Sequence, residues 1–164
     1  AHTLKQRGRV AILDVDYHHG NGTQSVFWDD ADVLTVSLHI TPDYDYPYFS
    51  GTADERGAPD AFGCNLNYPL APQVPAERYL ATVRDALKQI RDFGAKALVV
   101  SLGYDVYRHD QMGSFTLERD DFMQLGRLIG ALSMPILVVQ EGGYTLDALG
   151  ELAVAFVRGM QGRR

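Results

Sequence analysis

Four short apolar runs, most of them ending in polar or acidic residues, constrain this chain more than any other feature. They are Val10-Ala11-Ile12-Leu13, Val33-Leu34-Thr35-Val36-Ser37-Leu38, Ala97-Leu98-Val99-Val100-Ser101-Leu102 and Ile136-Leu137-Val138-Val139. Runs this short, rich in β-branched residues, read as strands of a buried parallel sheet. Helical patterns lie between them. Pro75 opens a helix in which Tyr79, Val83, Leu87 and Ile90 fall on one face, and Gly94 stops it. A second helix spans residues 120 to 132, with Phe122, Leu125, Leu128, Ile129 and Leu132 facing inward, and a last one spans 146 to 160. Thr23 is placed to cap a short helix through about Trp28, and Cys64-Asn65-Leu66-Asn67-Tyr68 reads as a further short strand. Strands alternating with helices imply an α/β fold with a mainly parallel sheet and flanking helices. Residues 40 to 63 break this rhythm with three prolines and four aromatics between Tyr44 and Phe49, the pattern of a long functional or mobile loop.

Composition narrows the partners. Of the 164 residues, 15 are Lys or Arg and 21 Asp or Glu, a net charge of −6. That balance argues against general binding to nucleic acid or to an anionic membrane. No apolar run reaches the roughly 20 residues of a membrane helix, and the first residues lack a signal-peptide core. Cys64 is the only cysteine, which excludes an intrachain disulfide and points to a reducing, cytoplasmic home. Any metal must be held by His, Asp and Glu.

In open parallel sheets, sites form beyond the carboxyl ends of the strands. Three such ends here carry chemistry. The first reads Asp14-Val15-Asp16-Tyr17-His18-His19-Gly20-Asn21-Gly22-Thr23, the second Gly103-Tyr104-Asp105, the third Glu141-Gly142-Gly143-Tyr144. In an extended backbone Asp14, Asp16 and His18 share one side. Two carboxylates and an imidazole, with Asp105 from a neighbouring strand, suit zinc or another divalent ion with an open position. The plainer reading has Asp and His capping turns; the coincidence of several loaded strand ends favours the metal. Two glycines let backbone approach a ligand, and the Tyr144 phenol can donate to a carbonyl oxygen. His19, next to His18 on a strand, faces away, and His39 and His109 are expected not to be ligands. Tyr104 reads equally as a channel residue or a packed one.

These residues resemble the histone deacetylase superfamily, including the acetylpolyamine amidohydrolases, over residues 9 to 160. The resemblance implies the arginase/deacetylase-like three-layer fold. It implies that Asp16, His18 and Asp105 are ligands to Zn²⁺ (or Fe²⁺ or another divalent ion), and that Tyr144 polarises the scissile carbonyl. Asp14 matches an acid that orients a catalytic histidine. It also matches, with Asp16, His18, Ser37 and Leu38, a structural K⁺ site. Phe49 matches an aromatic wall of the acyl channel, Met112 its rim, and Gly142 and Gly143 line it. Asn21, where class I deacetylases carry Asp, points to the class II or acetylpolyamine branch.

The family's tandem catalytic histidines lie upstream of the first metal motif, whereas only His2 precedes Arg9 here. The whole chain, 1–164, is therefore expected to be the C-terminal portion of a single deacetylase-like catalytic domain, lacking its N-terminal strands. Its 136–139 strand is expected to be an exposed edge, inviting homo-oligomers or pairing with an N-terminal half. The expected activity is zinc-dependent removal of acetyl groups from an acetylpolyamine, another small acetylamine or acetyl-lysine. An alternative is a metal-binding or assembly fragment without turnover, since the general base is absent. A third reading, a phosphate-binding doubly wound domain, rests only on Gly20-Asn21-Gly22, and no glycine-rich or Walker motif supports it.

Overall fold

In the computed structural model, which describes residues 1–162, five parallel strands form one sheet. They are β1 (Val10–Asp14), β2 (Val33–Ile40), β3 (Asn65–Leu70), β4 (Ala97–Leu102) and β5 (Ile136–Gln140), in the order β3-β2-β1-β4-β5. The helices are α1 (His2–Lys5), α2 (Asn21–Phe27), α3 (Ala76–Phe93), α4 (Arg119–Gly130) and α5 (Leu146–Met160). A short 3₁₀ turn, Pro59–Ala61, interrupts the long loop after β2.

The period of two along the strands sorts the core into two faces. Ala11, Leu13, Leu34, Val36, Leu98 and Val100 point to one side, where Tyr79, Val83, Leu87 and Ile90 of α3 join Phe122, Leu125 and Ile129 of α4 and Phe156 of α5. Val10, Ile12, Val33 and Val99 point to the other and meet only Ala1, Leu4 and Phe27. The architecture is therefore three-layered, with a thick helical layer on one face and a thin one on the other. α3 ends at Gly94, whose φ of 78° is left-handed and closes the helix onto the Arg91 carbonyl. On α4 the expected Leu128 and Leu132 pack against the core but stay partly exposed.

Several boundaries differ from expectation: α4 covers Arg119–Gly130 rather than 120 to 132, and β3 covers Asn65–Leu70 rather than 64 to 68. β2 runs to Ile40, because Ile40 N–H still finds the Tyr17 carbonyl at 2.9 Å. α2 begins at Asn21 rather than behind a Thr23 cap. The chain must turn at Gly20, where a side chain would stand 2.3 Å from Asp14 Oδ2. The long loop is tied down rather than loose. Glu55 Oε2 accepts from Gly51 N–H at 2.9 Å and from Gln24 Nε2 at 2.7 Å, and Asn65 Nδ2 donates to the Glu55 carbonyl at 2.7 Å.

β5 is an edge strand, hydrogen-bonded only to β4. Leu137 is 53% exposed and Val139 40% on this strand. Among the described residues no helix is long and apolar enough to cross a membrane.

Candidate metal centre and active site

The register brings the loaded strand ends together. Asp14 pairs with Ser37 on one side and Ser101 on the other, so β1, β2 and β4 finish level. The strand does not continue through His18, as simple alternation implied. Instead Asp14 Oδ1 accepts from Asp16 N–H at 3.0 Å, and Asp16 Oδ1 accepts from His18 N–H at 2.8 Å. Two successive side-chain-to-backbone turns thus replace the extended backbone beyond Asp14.

The result is a converging group. One ligand atom each from Asp16, His18 and Asp105 lies within 4.8 Å of the others. His18 Nδ1 stands 3.6 Å from Asp16 Oδ1 and 3.5 Å from Asp105 Oδ2. Asp105 is fully buried; its Oδ1 accepts from Tyr17 N–H at 3.0 Å, while Oδ2 has no hydrogen-bond partner. A buried carboxylate oxygen without a donor is costly. Here it converges with His18 Nδ1 and the Asp16 carboxylate.

Two glycines make room. A side chain on Gly103 would meet Asp16 Oδ2 at 2.4 Å and Asp105 Oδ1 at 2.5 Å. One on Gly142 would meet Asp105 Oδ2 at 2.4 Å and Asp16 Oδ2 at 2.7 Å. Gly142 also donates its N–H to Asp16 Oδ2 at 2.9 Å, which aims that carboxylate.

Two carboxylates and an imidazole crowded together shift one another's ionisation. The close carboxylates of Asp105 and then of Asp16 lift His18 to about 9. Burial raises the Asp105 carboxyl, aided by the charge on Asp16. Burial works against Asp16 too, but bonds from His18 and from the His18 and Gly142 amides outweigh it and hold it low. Asp14, 7% exposed beneath the group, is pushed up to about 8 chiefly by burial. Groups displaced this far in a common cleft mark a functional site.

Asp14, Asp16, His18, Glu141, Gly142 and Tyr144 line one open groove. The Tyr144 ring is half exposed. Partial burial, then the Asp105 and Asp16 charges, raise its phenol, so it stays protonated and able to donate. Gly143, at φ 134°, lies against Tyr104 and allows the turn that presents Tyr144.

Other expected residues fall elsewhere. Ser37 and Leu38 lie on β2 beside the end of β1. Ser37 Oγ donates to His39 Nδ1 at 2.8 Å, because His39 Nε2 must donate to the Gly51 carbonyl at 2.9 Å. Phe49, 73% exposed, lies in a separate groove with Asn21, Ser25 and Trp28, away from the ligand group. The ring that stands by His18 on that loop is Tyr46, with centroids 6.1 Å apart. Loop spacing alone did not distinguish the two aromatics. Met112 is 52% exposed, and its N–H donates to Asp110 Oδ1. Tyr104 is packed, stacked on Phe122 at 5.6 Å. His19 is held by Ser50 and Gln24, as expected of a structural residue. Sequence reasoning missed Asp110 and Tyr46, since a lone acid or tyrosine in a loop carries no spacing signal.

A model of the histone deacetylase domain matches residues 1–160. The chain belongs to the histone deacetylase family. Among curated relatives it is 46% identical over 155 residues to acetylpolyamine amidohydrolase 2 of Pseudomonas aeruginosa, covering 94% of this chain and 45% of that one. It is 44% identical to the acetylpolyamine amidohydrolase of Burkholderia pseudomallei over 97% of this chain and 47% of that one. A crystal structure of acetylpolyamine aminohydrolase from Burkholderia pseudomallei superposes with a TM-score of 0.95, at 44% identity, over 98% of this chain and 47% of that one. A deacetylase homologue from Aquifex aeolicus superposes with a TM-score of 0.90 at 26% identity, over 99% of this chain and 44% of that one. The chain thus spans less than half the length of these relatives. Within the family, the five-stranded parallel sheet with flanking helices is the deacetylase fold over the part that this chain covers.

Proposed function

We propose that this chain carries the metal-binding and carbonyl-polarising part of an amide hydrolase that releases acetate from acetylated amines, with zinc as its ion. The unpartnered, fully buried Oδ2 of Asp105, converging with Asp16 and His18, carries this reading. Two carboxylates and one imidazole suit a divalent ion with an open position. Gly103 and Gly142 supply the space. When bound, such an ion polarises a carbonyl oxygen and lowers the pKa of water.

The chain's own residues do the rest. Asp16, His18 and Asp105 would hold the ion. Tyr144, kept protonated, would donate a hydrogen bond to the acetyl carbonyl oxygen as negative charge grows there. Gly142 would keep that wall of the groove thin enough for an extended acyl chain, and Gly143, which lies behind it against Tyr104, would allow the turn. Tyr46 and Met112 would border the entrance, with Phe49 as an outer aromatic. Ser37 and Leu38, with Asp14, Asp16 and His18, would supply backbone and side-chain oxygens to a structural K⁺ beneath the site. The preferred substrate is an acetylpolyamine, in keeping with the net charge of −6 and with the names of the relatives above. We place the reaction in the cytoplasm.

A second reading has an observation of its own. Of the five histidines, His18 belongs to the ligand group. His19 and His39 are locked in hydrogen bonds, His109 packs on Tyr107, and His2 on Phe27. Only His18 and His19 line the groove; His18 is taken by the ligand group and both ring nitrogens of His19 by Ser50 and Gln24, so among the described residues no histidine is free to act as a general base, which is worth about 10²–10⁴-fold. On this reading the chain binds the ion but turns over only with a base supplied from elsewhere, such as a tandem histidine pair.

Zinc content and hydrolysis of acetylputrescine, measured on this chain with and without upstream sequence bearing a His-His pair, separate the two. One zinc per chain, lost in Asp105→Asn, is expected in both. Turnover by this chain alone, lowered about 10²–10³-fold in Tyr144→Phe, supports the first reading; turnover only in the longer form supports the second. Absence of zinc from both forms would refute the proposal.

A further inference from the structure

Asp110 sits in the loop between β4 and α4, outside the ligand group, and its side chain is 93% buried by its 7% relative exposure. Its two oxygens are divided between two loops. Oδ2 accepts from Tyr144 N–H at 2.7 Å and from Thr145 N–H at 3.0 Å. Oδ1 accepts from Met112 N–H at 3.0 Å. Nearby, Thr145 Oγ1 donates to the His109 carbonyl at 3.0 Å. Tyr144 therefore has its backbone fixed from the neighbouring loop rather than by its own strand. The phenol itself is half exposed, with nothing else among the described hydrogen bonds to hold it.

We infer that Asp110 is a positioning residue for Tyr144: one carboxylate sets the phenol over the ligand group and ties it to the rim at Met112. The inference rests on the hydrolase reading only where it concerns catalysis; the anchoring stands independently. A carboxylate is suited to this task. It offers acceptors to three N–H groups at once, and charge-assisted bonds are about twice as strong as neutral ones. It also faces the start of α5, where the helix dipole favours negative charge.

The amide exchange rates of the metal-free chain test the anchoring. In Asp110→Ala, exchange at Tyr144 and Thr145 should rise about tenfold or more, the factor expected when charged hydrogen bonds are lost. The amides of Leu13 and Val100 should keep their rates. Asp110→Asn separates the two ties. Its single carbonyl oxygen can still accept from Tyr144 and Thr145, while its amide group cannot accept from Met112. Only the Met112 amide should then exchange faster. In the form that hydrolyses acetylputrescine, Asp110→Ala should lower kcat and leave KM in place. Combined with Tyr144→Phe it should be no slower than Tyr144→Phe alone. Unchanged exchange at Tyr144 and Thr145 in Asp110→Ala, a rise shared by every amide, or independent losses of kcat would overturn the inference. If no form hydrolyses the substrate, the hydrolase reading fails and the exchange rates alone decide this one.

Discussion

Tyr144 and Gly142 show how single residues divide the labour of the groove. Tyr144→Phe removes one donor to a developing oxyanion, so kcat should fall about 10²–10³-fold with zinc affinity unchanged, as read by steady-state rates and calorimetric titration. Gly142→Ala should do the reverse. Its methyl would stand 2.4 Å from Asp105 Oδ2, so zinc binding should weaken at least about tenfold in the same titration. His39 makes a third prediction. Burial holds its imidazole down at about 4, and it is neutral, with Nε2 donating to Gly51 and Nδ1 accepting from Ser37. The unfolded chain takes up that proton near 6.5, so the neutral His39 favours folding above 6.5. This advantage is lost as pH falls from 6.5 toward 4, in all roughly 3 kcal/mol. A melting temperature that stays flat between pH 7 and pH 4 would contradict this. Asp16, His18 and Asp105 were legible in sequence because an acid and an imidazole two residues apart at a strand end are a spacing. Asp110 was not, because its partners are backbone amides of another loop and leave no trace in side-chain pattern. Tyr46 and Phe49 lie three residues apart in an irregular loop, where no period tells which ring stands beside His18.

The helices and strands were legible almost to their ends. α5 matches its expected bounds of 146 to 160, and α3 starts behind Pro75 and stops at Gly94 because those residues leave little choice. What composition could not show is how closely α4 and α5 approach. A methyl group on Gly126 would stand 2.2 Å from the Phe156 carbonyl oxygen, and one on Gly159 would stand 2.1 Å from that of Met123. Helix propensity alone predicts that alanine at either position stabilises by about 1 kcal/mol. Contacts this short with rigid backbone outweigh that gain, because they force the helices apart and cost about 1–3 kcal/mol. Gly126→Ala and Gly159→Ala should therefore lower the urea midpoint. Gly150, with open space around it, should tolerate alanine without loss.

At the scale of the whole molecule, the sheet is sealed on one face and thinly covered on the other. The free edge of β5 presents unpaired backbone groups next to exposed Leu137 and Val139. The chain should associate with rising concentration, and Leu137→Lys should suppress this in light scattering, since charge on an edge strand blocks pairing. The alternation of strands and helices made the parallel sheet legible; the exposure of one face depends on what packs there, which local pattern does not encode. The span of the ligand group has a consequence in time. Gly142 N–H meets Asp16 across 126 residues, and Tyr17 N–H meets Asp105 across 88. A ribosome adding about 5–20 residues per second releases Asp16 and His18 on the order of ten seconds before Asp105. During that interval the nascent chain holds two arms of the centre and not the third. The three ligand side chains can therefore converge only late in synthesis, once β4 has paired with β1 and brought Asp105 to Asp16 and His18.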